Sequence, residues 1–127
     1  MTVAFIAALS LSVPALGADE TPPETIRIFN TSVFKDHRKG PVTFSHQKHA
    51  TQYKVLCREC HHVYENRQNV WEQGVPVQTC DTCHREKKDP RVDKLQNAFH
   101  KNCRGCHRDI GKGPYKNCAE CHAELAQ

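Results

Sequence analysis

The stretch Cys57-Arg58-Glu59-Cys60-His61-His62 decides how this chain is read. Its first five residues have the form C-x-x-C-H. The same pattern returns at Cys80-Asp81-Thr82-Cys83-His84, Cys103-Arg104-Gly105-Cys106-His107 and Cys118-Ala119-Glu120-Cys121-His122, and the four copies use all 8 cysteines of the chain. The spacing has a chemical reason. A haem carries two vinyl groups, each able to form a thioether with one cysteine, and two intervening residues let both sulfurs reach them. The next residue then lies beneath the iron as an axial ligand. Cys57, Cys60, Cys80, Cys83, Cys103, Cys106, Cys118 and Cys121 are therefore candidate attachment points for four covalent c-type haems. His61, His84, His107 and His122 are the candidate proximal ligands.

Paired cysteines also build disulfides and zinc sites. Neither use explains a histidine after every second cysteine.

The remaining histidines give an independent count. Haem iron has one further axial position per motif, and five histidines are left: His37, His46, His49, His62 and His100. Methionine, the other common axial ligand, occurs only as Met1, so histidine on both sides of all four irons is the economical reading, with one residue spare. His46 and His49 stand three apart on a predicted helix and share a face, so their rings project toward two neighbouring irons. Adjacent His61 and His62 leave the backbone in different directions and should serve two irons. His100 leads into the third motif. His37, in a polar turn between Asp36 and Arg38, reads as a solvated loop residue.

Composition agrees with cofactor filling. The chain has 127 residues, enough for one domain, but only 38% are hydrophobic and 7% aromatic, poor material for an ordinary core. The net charge of +4 is mild, and basic residues do not alternate with aromatics as on a strand-stacking surface, so nucleic acid is not an expected partner. Residues 85 to 127 carry the charge excess. Arg85, Lys87, Lys88, Arg91, Lys94, Lys101, Arg104, Arg108, Lys112 and Lys116 form a candidate basic rim for an acidic partner.

Residues 1–18 hold no charge and end in small residues, the pattern of a signal peptide expected to be cleaved after Gly17 or Ala18, with export to the periplasm. Residues 19–40 read as an N-terminal arm and hairpin, and 41–127 as the haem-carrying domain. Ile26 to Phe29 and Pro41 to Phe44 are predicted to pair across a turn at Asp36 to Gly40. Ser45 is expected to cap a helix from His46 to about Lys54, a second helix is predicted over Arg91 to Asn102, and Gln68 to Gln78 reads as loop.

The pieces Phe44-Ser45-His46-Gln47-Lys48-His49, Cys57 to His62, Phe99-His100 before Cys103, and the four motifs in order resemble the class III cytochromes c, the tetrahaem cytochrome c3 family. Two-residue spacing in all four motifs, with Phe99 to Cys103 and Lys112-Gly113-Pro114, makes the second type of that family the better match. The resemblance implies a small, mostly irregular and α multihaem cytochrome fold, with a short N-terminal β-hairpin and a few helices wrapped around four haems. It also implies axial pairs His61 with His46, His84 with His62, His107 with His49, and His122 with His100.

Two axial imidazoles leave no open position for a small-molecule substrate, so electron transfer is the expected function, at low potential because no thioether ligand is present. About 27 residues per haem cannot insulate the porphyrins from one another. The expected partners are redox proteins: hydrogenase, formate dehydrogenase, other cytochromes or a membrane redox complex. The competing readings are a membrane-anchored tetrahaem quinol dehydrogenase that keeps residues 1–18, and a multihaem reductase with a five-coordinate iron.

Overall fold

The computed structural model describes residues 21–87 and 89–125, so the leader expected at 1–18 lies outside the described residues. The first pairing is antiparallel: β1 (Ile26–Ile28) runs beside β2 (Val42–Phe44) with Ile26 opposite Phe44 and Ile28 opposite Val42. Branched and aromatic residues at these positions suit a pleated ribbon, and the predicted hairpin is present.

A second ribbon pairs β3 (Tyr64–Glu65) with β4 (Gln68–Asn69), and β4 takes the first two residues of the segment expected to be loop. Its turn places Asn66 (φ 48°) and Arg67 (φ 67°) both in the left-handed region. Positive φ at both central residues gives the turn the twist of the flanking strands. Asn66 is the one local signal for it. The short strands close because Asn69 joins them to what precedes and follows. Its side-chain oxygen accepts from Val63 N (3.0 Å) and Trp71 N (3.1 Å), and its amide donates to the His61 carbonyl (3.1 Å).

Both predicted helices exist with different bounds. Residues 46 and 47 make one helical turn that passes into a π-turn, Lys48–Gln52, closed by Tyr53 N to Lys48 O at 3.0 Å. Ser45 does not cap it: the hydroxyl lies 3.5 Å from His49 Nδ1 instead of on a backbone N–H. Lys54 at φ 56° ends the segment. The second helix starts at Leu95 and not at Arg91, because Val92 is held in a bridge with Asp89 and Leu95 N donates to Arg85 O at 2.9 Å. It then runs past Asn102, as α1 (Leu95–Phe99), a π-turn (His100–Gly105) and α2 (Cys106–Ile110), ending at Gly111 with φ 66°. The third motif is thus helical throughout. The other three sit in 3-10 turns, Cys57–Glu59, Cys80–Thr82 and Cys118–Glu120.

Side chains alone barely make a core. Among the described residues the buried hydrophobics are Trp71 (8% exposed) and Leu95 (0%). The N-terminal ribbon is tied to the last described residues instead: Val42 bridges His122, and Ala123 N donates to Pro41 O at 2.9 Å. None of the described helices is long and apolar enough to cross a membrane.

Candidate metal centres

The three 3-10 motifs are built alike. Leu56, Thr79 and Asn117 enter each turn extended, and the second cysteine, Cys60, Cys83 or Cys121, leaves it at φ −111°, −111° or −117°. In each, the histidine N–H closes back on the first cysteine carbonyl at 2.9 Å: His61 on Cys57, His84 on Cys80, His122 on Cys118. The turn therefore draws the backbone of the histidine back onto that of the first cysteine. All eight thiols are free, and Cys121 alone is half-buried rather than exposed. Although the Cys103 residue as a whole is exposed, protein packed around its sulfur pushes the thiol up to about 11, with smaller contributions from the charges of other cysteines.

The histidines come in opposed twos. Ring centroids lie 6.1 Å apart for His46 and His61, 5.9 Å for His62 and His84, 6.1 Å for His49 and His107, and 6.3 Å for His100 and His122. An ion held between two imidazoles lies about 2.0–2.1 Å from each nitrogen and a centroid sits ~1.1 Å further back, so one iron between two rings needs ~6.3 Å. The residues present fit that group. These are also the partners the resemblance implies. Among the described residues no three His, Cys, Asp or Glu side chains converge as a tetrahedral zinc site requires.

Four of these rings are aimed by main-chain carbonyls. Nδ1–H is donated by His84 to Asp93 O (2.8 Å), by His107 to Pro114 O (2.9 Å), by His122 to Gly40 O (2.8 Å) and by His49 to Ser45 O (2.9 Å). A carbonyl only accepts, so the proton sits on Nδ1 and the Nε2 lone pair is left for a metal. Burial, reinforced by neighbouring imidazoles, lowers the His61 and His100 pKa values and favours the same neutral form.

Two glycines make such aiming possible. A side chain at Gly40 would collide with the Ala123 carbonyl. At Gly113 (φ 78°) a Cβ would stand 2.9 Å from the His107 ring. Gly40 at the end of the predicted turn and Gly113 in the Lys112-Gly113-Pro114 stretch carry a local signal, but nothing in the sequence points to a role for Asn69 or to the contacts that require glycine at these two positions.

His37 corrects an expectation. It is not a solvated loop residue. Its ring stacks on Phe29 at 3.9 Å and meets Phe34 edge-on at 6.0 Å, with Nε2 buried and unpartnered. It does not join any of the four pairs.

The profile of the class III cytochrome c family matches residues 23–127. The chain belongs to the class III cytochrome c family. Cytochrome c3 of Desulfovibrio desulfuricans is 37% identical over 86 residues, 61% of this chain and 74% of that protein. Cytochrome c3 of Desulfuromonas acetoxidans is 29% identical over 72 residues, 57% of this chain and 88% of that one. The solved high-molecular-weight cytochrome c of Desulfovibrio vulgaris (Miyazaki F), determined in the presence of zinc ion, shares the fold with a TM-score of 0.55. It is 24% identical, covering 82% of this chain and 21% of that one. As a class III cytochrome c the chain is a multihaem electron carrier, and its eight cysteines fit four c-type haem sites.

Proposed function

We propose that this cytochrome is a periplasmic, low-potential electron carrier of anaerobic respiration, in which each C-x-x-C-H motif attaches one haem and the four opposed imidazole pairs supply both axial ligands of each iron. Residues 41–127 form the haem-carrying unit, 19–40 its arm and hairpin, and 1–18 a cleaved export signal. The observation that carries the reading is the opposition of each motif histidine to one further histidine at 5.9 to 6.3 Å. When bound, haem supplies one-electron ferric/ferrous chemistry. The protein aims His49, His84, His107 and His122 through main-chain carbonyls. With haem bound, the paired imidazoles would fill both axial positions and keep substrates from the iron.

Docking is assigned to the basic C-terminal third. His100, Lys101, Arg104, Gly105, Arg108 and Asp109 line a shallow concavity of about 350 Å³ beside the His100–His122 pair. An acidic face of hydrogenase, formate dehydrogenase, another cytochrome or a membrane redox complex would be steered there.

A pyridine haemochrome assay with intact mass, on protein matured in a host that attaches c-type haem, tests this directly. Four haems, an N-terminus near Asp19, a wholly low-spin ferric spectrum and no carbon monoxide adduct after reduction are expected. Fewer haems or ready carbon monoxide binding would sink the reading, and a retained leader would favour the membrane-anchored quinol dehydrogenase.

A further inference from the structure

The four histidine pairs are not equivalent. Ring planes cross at 80° in His46–His61, 89° in His62–His84 and 87° in His100–His122, but lie 12° apart in His49–His107. The outer hydrogen bonds differ in the same sense. Both rings of the His49–His107 pair donate Nδ1–H to carbonyls, of Ser45 and of Pro114, each at 2.9 Å. The second and fourth pairs have one such bond each, from His84 and from His122. The first pair has none among the described residues: Nδ1 of His46 is buried without a partner, and His61 lies against Trp71 at 5.1 Å.

An imidazole that donates its outer N–H to a carbonyl becomes a stronger electron donor at the inner nitrogen, and stronger donation favours ferric over ferrous iron. Two such bonds act on one iron in the third pair and none in the first. We infer that the His49–His107 site is the lowest-potential centre of this chain and the His46–His61 site the highest, with the other two between. The inference rests on the axial pairing proposed above.

The two extremes are neighbours. Phe44 lies 4.7 Å from His49 and 5.7 Å from His46, ring to ring. With haem bound, an electron reaching the third site from a reduced partner would move on to the first across the steepest potential difference in the molecule, the third site giving up the one electron that the first takes, with no bond made or broken. The cations of Lys101, Arg104 and Arg108 oppose the effect, but they are exposed, and salt screens them.

The test is a redox titration of the holoprotein at about 1 M salt, where screening acts within ~3 Å. It is followed by NMR with each haem assigned through its own motif, alongside electron paramagnetic resonance of the oxidised form. Parallel ligand planes split the iron orbitals rhombically and crossed planes leave them nearly degenerate. One haem in four, that on Cys103 and Cys106, should give the rhombic signal and be the last reduced, while the haem on Cys57 and Cys60 is reduced first. Gly113→Ala, which crowds the His107 ring and moves the Pro114 carbonyl, should raise the third potential relative to the other three and alter the rhombic signal. Should that variant fail to fold, the unaltered ferrous protein still decides, since hydrogen-bonded Nδ1–H resonances are expected from both His49 and His107. Four low-spin haems with the third reduced early, or with no distinct rhombic component, overturn this inference alone. High-spin iron or a missing haem overturns the axial pairing instead.

Discussion

The Gly40 carbonyl accepts a hydrogen bond from His122 Nδ1 at 2.8 Å across 82 residues of sequence. This contact, with the neighbouring Val42–His122 bridge, makes the N-terminal ribbon a wall of the fourth site. The backbone approaches so closely that no side chain fits at Gly40.

Gly40→Ala should therefore weaken the holoprotein by about 2 to 4 kcal/mol, the range of severe single substitutions. Thermal unfolding of the two holoproteins measures the loss. A variant with an unchanged midpoint would show that the ribbon does not bear on the fourth site.

Asn69 satisfies two backbone N–H groups and one carbonyl around His61. Asn69→Leu strands those groups, at about 1 to 3 kcal/mol for each one left buried and unpaired. A lowered urea midpoint and a changed His61 environment in the NMR spectrum are expected.

Asp81, inside the second motif, accepts a hydrogen bond from Ser32 at 2.8 Å. That bond, with further ones from Thr79 and Asn30, holds its pKa at about 2 against an ordinary 3.8. A folded pKa below the unfolded one gives stability that is present above the unfolded value and lost as pH falls through the folded one. Ser32→Ala should raise the carboxyl pKa, seen by NMR titration, and weaken the fold above about pH 4 while leaving the acid-unfolded state unaffected.

His37, packed on Phe29 and Phe34 with an unpartnered buried nitrogen, serves no pair. His37→Phe removes that polar atom and should keep four low-spin haems, with stability unchanged or raised by about 1 kcal/mol. Loss of a haem or a high-spin iron in this variant would make His37 a ligand.

Much of this molecule is legible along the chain. Thioether attachment needs two sulfurs two residues apart and an imidazole next to them, a local covalent demand that any sequence must display. The count of further histidines follows from valence at iron. The β1–β2 ribbon follows from the character of its residues. The helix bounds were less legible. Val92, periodic with Leu95, is taken by the bridge to Asp89, and the helix starts where Arg85 captures the Leu95 N–H. His37 reads as solvated from its charged neighbours, yet two phenylalanines cover it.

By itself the sequence marked which residues are candidates to hold the cofactors and how many c-type haems the eight cysteines fit, because both are set by bonds between near neighbours. Tertiary structure alone decided which carbonyl aims each imidazole, that one pair lies parallel while three cross, and that glycine is required at 40 and 113. Those properties arise where distant segments meet at van der Waals contact, and spacing along a chain does not encode such distances.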